Sequence, residues 1–148
     1  MSTIYASVHE GDNFFEEELG GEAWASSTKS QQQKALNKAA RLINRLRFSG
    51  YKTDGDQDEE FPRNGEAEVP SDIMVATILV ADRLLDGIDT DEEFENLQLT
   101  GATFSQISST YNRKIIPPHI AAGIPSSDAW RLLLPYLKVS TTIPLCRV

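Results

Sequence analysis

A chain of 148 residues with 40% hydrophobic side chains can build one modest core, so a single domain is the expected organisation. Its 22 acidic against 14 basic side chains leave a formal charge of -8, which repels phosphate backbones and argues against tight nucleic-acid binding. The lone Cys146 excludes an intramolecular disulfide, and with only His9 and His119 beside it a tetrahedral zinc site has no ligand set, so a reduced cytosolic setting is expected.

Residues 1–10 have neither the basic start nor the apolar run of a signal peptide, and no stretch approaches bilayer length, so a soluble, unexported chain with no membrane partner is expected. Ser7 with Glu10 is a capping-box pattern, and Phe14, Phe15 and Leu19 follow before Gly20-Gly21, predicting a helix from Val8 to about Leu19. Thr28 with Gln31 repeats that start. Leu36, Ala39, Ala40, Ile43 and Leu46 then recur at helical spacing until Gly50. The small residues Ala35, Ala39 and Ala40 let another helix approach, while Lys34, Lys38, Arg41, Arg45 and Arg47 form the densest basic cluster on the opposite, wetter face. That face reads as a solvated stripe balanced by nearby acids, or as a surface for an acidic neighbouring subunit, rather than as a DNA platform.

From Gly50 to Glu68 the chain is rich in Asp, Glu and Gly with no helical period, a loop long enough to suggest function. Its Phe61-Pro62-Arg63 triplet either anchors the loop or docks it on a partner, since it joins an aromatic, a rigid kink and a planar cation. The acids from Asp54 to Asp58 lack the glycine and distal Glu of a calcium loop. Pro70-Ser71 opens another helix, with Ile73, Ala76, Thr77, Val80 and Leu84 as its apolar stripe to Gly87, packed on the preceding one. Alternating apolar residues between Leu97 and Tyr111 predict a hairpin or extended loop. After Pro117-Pro118 and Pro125, Ser127 is the expected cap of a last helix from Asp128 to about Leu137. Leu36, Ile43, Val80 and Leu133 should be buried, and Trp24 and Trp130 should staple helix ends to the core.

The expected fold is therefore mainly α: a small helical bundle over residues 1–137 with a hairpin or long-loop insertion, and an extended C-terminal arm over 138–148. The arm is β-branched without a neighbouring partner strand. Val139, Thr141, Ile143 and Leu145 are its candidate contacts for strand addition to another chain, beside Phe61, Pro62 and Arg63. No nucleophile lies beside a base, and no Gly-rich phosphate loop, paired-cysteine motif or nucleophile elbow occurs, so no enzymatic role, cofactor or metal is expected.

An ordered series of motifs runs Ile4-Tyr5-Ala6-Ser7-Val8, Asp12 and Phe14-Phe15, Trp24, Lys34-Ala35-Leu36, Ala39-Ala40-Arg41 and Ile43, and continues with Phe48, Gly50, Lys52-Thr53, Gln57, Phe61-Pro62-Arg63, Val69-Pro70, Ala76, Ala81 and Leu134-Pro135-Tyr136-Leu137. In that order the series resembles the short helical head-to-tail connector (adaptor) subunits of tailed bacteriophages. The resemblance implies a virion protein at the neck, assembled in the host cytoplasm as a ring of about twelve copies beneath the portal. Its implied partners are the portal protein, neighbouring copies of itself and a downstream tail or neck protein. Genomic DNA would pass through its acidic channel without tight binding. Such proteins are often labelled DnaT-like single-stranded-DNA-binding proteins; that alternative is set against the charge of -8.

Overall fold

In the computed structural model, residues 4–97 and 117–138 are described. The expected hairpin, beyond Leu97 itself, and the arm residues Val139, Thr141, Ile143 and Leu145 lie outside them.

Helix α1 (Val8–Glu17) starts as the capping box requires: the Ser7 hydroxyl accepts from the Glu10 N–H, and the Glu10 carboxylate accepts from the Ser7 N–H. It stops before Leu19, which is left fully exposed. Trp24 occupies a one-turn helix of its own, α2 (Glu22–Ala25), and is 2% exposed. Its ring lies so close to Gly11 that a Cβ there would come within 2.4 Å of it. Its indole N–H donates to Asp12 at 2.8 Å and its backbone N–H to Asp82 at 3.1 Å.

Helix α3 (Lys29–Asn44) opens on the Thr28–Gln31 capping box but ends well before Gly50. The N–H groups of Arg45 and Leu46 turn back to the Leu42 and Ile43 carbonyls, and the chain then pairs with its own C-terminal end. Ser49 N–H donates to the Tyr136 carbonyl and Lys138 N–H to the Arg47 carbonyl, each at 2.9 Å. Backbone pairing from far along the chain overrides the local period that carried the helical expectation to Leu46.

Helix α4 (Ser71–Leu85) is the centre of the bundle, packing against α2, α3 and the later helix of residues Ser127–Leu133. That position explains its sequence, in which Ile73, Ala76, Thr77, Ile78, Val80 and Ala81 are all buried and even the Thr77 hydroxyl bonds inward, to the Ile73 carbonyl at 2.7 Å. Helical residues 90–97 form α5, followed by α6 (Pro118–Ala121) and α7 (Ser127–Leu133). Ser126, not Ser127, caps α7 by accepting from the Ala129 N–H. The expected run to Leu137 instead tightens into a 3-10 turn, Leu134–Tyr136, because Pro135 has no N–H to continue the α ladder.

The protein is mainly α and a compact helical bundle, with no strand among the described residues beyond isolated backbone bridges. Leu36, Ile43, Val80 and Leu133 are buried as expected. No described helix is long and apolar enough to cross a membrane.

Candidate nucleic-acid interface

The spacing of Lys34, Lys38, Arg41 and Arg45 (i, i+4, i+7, i+11) lines them up along α3 and its C-cap over about 16 Å. The buried face, Leu36, Ala39, Ala40 and Ile43, holds the other side of the helix against the core, so all four cations are exposed. Arg47 lies past the helix end and is not part of the stripe. Like charges at these intervals repel each other and weaken an isolated helix by a few tenths of a kcal/mol per pair. None of the four is in an ion pair among the described residues, whose ion pairs are Lys29–Asp12, Arg63–Glu60 and Arg131–Asp128.

Beside the stripe runs a groove of about 640 Å³. Lys34, Lys38 and Arg45 form one wall with Leu42; Leu84 and Leu85 from the end of α4 contribute apolar surface. The chain leaving α4 turns at Gly87, where φ is +84°, and brings Ile88, Asp89 and Asp91 to the groove. Asp89 sits just before α5, and one of its carboxylate oxygens accepts from the Asp91 N–H at 2.9 Å. Pro125 and Gly123 line it too, from the connection that leads into α7. A groove with cations along one wall and apolar surface beside them is suited to a single nucleic-acid strand, whose phosphates need charge and whose bases need cover from water.

The other residues singled out in the sequence have internal work. Phe61 is 3% exposed and forms edge contacts with Tyr5, Phe48 and Tyr136, at centroid distances of 6.0, 4.7 and 5.8 Å. The Arg63 guanidinium is enclosed: it donates to the Ser49, Gly50 and Phe48 carbonyls, to the Glu60 carbonyl, and to the Glu60 carboxylate at 2.7 Å. Little of either side chain is left at the surface, while Pro62 is half-buried between them. The loop they anchor is tied down by further hydrogen bonds. The Tyr5 hydroxyl accepts from the Glu60 and Phe61 N–H groups and donates to Asn44, which in turn donates to Glu59. Burial pushes the Tyr5 phenol well above its usual range. Gln57 closes the acidic stretch by donating to the Glu59 and Pro62 carbonyls. His119 Nδ1 lies 2.9 Å from the Ile124 carbonyl. Among the described residues no cluster of His, Cys, Asp and Glu could hold a metal ion.

The basic face was legible in the sequence; the facing wall was not, because Leu84, Asp89 and Pro125 carry no common motif and meet α3 only through the fold. Nor did the sequence show that this face edges a concavity.

Comparison with known families gives one finding: the family described as "Putative DnaT-like ssDNA binding protein" matches residues 3–146. No curated protein and no solved structure matches. The family match overturns the connector resemblance, and with it the portal, ring and tail partners and the DNA that passes without tight binding. The physical reason lies in which residues carried that resemblance. Tyr5, Trp24, Leu36, Ala39, Ala40, Ile43, Phe61 and Arg63 are buried, so their series specifies a fold and not what the fold attaches to. Covering nearly its whole length, the match assigns this chain to the DnaT-like ssDNA-binding family.

Proposed function

We propose that the protein binds single-stranded DNA along the groove beside α3, with Lys34, Lys38, Arg41 and Arg45 holding the phosphates. The observation that carries this reading is the stripe of four exposed cations, none ion-paired among the described residues, three of which line the groove. Family membership supports DNA as the ligand. The charge of -8 had argued against it. That sum covers the whole molecule, whereas a phosphate responds mainly to groups within a Debye length, about 8 Å at physiological salt. Along α3 itself those groups are the four cations, while Asp89 and Asp91 stand on the facing wall of the groove. The role is binding and not catalysis: phosphate contacts alone give sequence-independent affinity that falls with salt.

Fluorescence anisotropy of a labelled single-stranded oligonucleotide across a salt series tests the reading. Three to four phosphate contacts give a log–log slope of about -2 to -3. The Lys38→Ala/Arg45→Ala double variant should bind more weakly and lose about 1.4 from that slope, at about 0.7 per contact. Exposed helical positions tolerate alanine, so folding should be preserved. No binding at low salt, or a slope indifferent to the double substitution, refutes the proposal.

A further inference from the structure

We infer that the groove holds the strand in one orientation, backbone on α3 and bases toward the α4–α5 wall, and that Asp89 and Asp91 make it favour bases with an exocyclic amino group over thymine. This rests on the DNA-binding reading and specifies its ligand. The two walls differ in sign, Lys34, Lys38 and Arg45 on one and Asp89 and Asp91 on the other. A phosphate is repelled by the second, so only the first can seat the backbone, and the bases are left facing Leu84, Leu85, Ile88 and the two carboxylates.

Among the described residues no aromatic side chain lines the groove, and Trp24, Phe48 and Phe61 are buried in the core. Base-indifferent aromatic stacking, the usual source of affinity in single-strand grooves, is therefore not supplied by these walls. Discrimination passes to hydrogen bonds. An ionised carboxylate only accepts. Among the described residues Asp89 has one oxygen engaged by the Asp91 N–H and the other without a hydrogen bond, and the Asp91 carboxylate has none. Cytosine, adenine and guanine each present an amino group to such acceptors. Thymine presents a single N–H between two carbonyl oxygens that a carboxylate repels.

The test compares labelled oligo-dC and oligo-dT of equal length on the full chain at neutral pH, with the Asp89→Asn/Asp91→Asn variant alongside. Asparagine also caps helices well, so α5 should keep its start. In the unsubstituted protein oligo-dC should bind at least about fivefold more tightly than oligo-dT, as one base contact allows. In the variant both should bind more tightly, because repulsion is removed, and the ratio should fall toward one, since an amide can donate to thymine. Equal binding of both oligonucleotides, tighter binding of oligo-dT, or a preference that survives in the variant overturns the base selectivity while leaving DNA binding in place. Failure of both oligonucleotides to bind overturns the DNA-binding reading and this inference with it.

Discussion

Single residues in this fold are decided by what touches them and not by type. Gly11 lies inside α1, where alanine would ordinarily add about 1 kcal/mol of helix propensity. The Trp24 ring, fixed by its bond to Asp12, occupies the space a Cβ would need. Gly11→Ala should therefore destabilise the protein by about 1 to 3 kcal/mol in chemical denaturation, as overpacking does; a stabilised variant would show that the ring can move aside. Two carboxylates at the same tryptophan pull in opposite directions. The hydrogen bonds from Lys29 and the Trp24 indole hold the Asp12 carboxyl below its usual range, a stabilisation present above the unfolded pKa and lost as pH falls through the folded one. Burial pushes Asp82 up, so the folded state holds that proton more tightly than the unfolded chain. Between the unfolded pKa and the raised one, Asp82 lowers stability as pH rises. Asp82→Asn keeps an acceptor for the Trp24 N–H and removes the desolvated charge. Its melting midpoint at neutral pH should equal or exceed that of the unsubstituted protein, and its stability should vary less with pH just above the ordinary carboxyl range. A clearly lower midpoint would mean that the ionised form is the one the fold prefers.

At the scale of elements, α4 packs against α2, α3 and α7, whereas α3 packs against α4 and α1 and keeps one face free to carry exposed charge. Leu36 belongs to the inner side of α3, is 2% exposed, and should cost about 2 to 5 kcal/mol when cut to alanine. An unchanged thermal midpoint in Leu36→Ala would contradict the packing described above. The segment from Gly50 to Glu68 has no regular structure yet is fastened at both ends of its chemistry, by Tyr5 to the backbone of Glu60 and Phe61 and by Arg63 to the carbonyls of Phe48, Ser49 and Gly50. Lysine at position 63 keeps the charge but not the planar fork that serves these acceptors together. Arg63→Lys should thus cost about 1 to 3 kcal/mol by denaturation, since buried acceptors lose their donors. If it costs nothing, the loop is held by Phe61 and Tyr5 alone.

For the whole molecule, the relevant electrostatic quantity is where charge lies and not its total: a chain of net charge -8 still presents a basic line on one helix, without an ion pair among the described residues. A ligand that binds only the folded state adds stability by mass action, about 2.7 kcal/mol at a hundred times Kd. Single-stranded DNA at that excess should raise the thermal midpoint by about 5 to 10 °C in a domain of this size, and the Lys38→Ala/Arg45→Ala variant should show a much smaller rise under identical conditions. An equal rise in both would place the DNA elsewhere. The sequence by itself determined the helix starts at Ser7 and Thr28, the buried positions Leu36, Ile43, Val80 and Leu133, and the basic face of α3, because caps and periodicity act within one or two turns of chain. Only the tertiary structure decided that α3 stops at Asn44, that Arg63 turns inward, and that Leu84 and Asp89 stand across a groove from Lys34 and Lys38. Each of these depends on groups far apart in the chain meeting in space, and no local pattern encodes such a meeting.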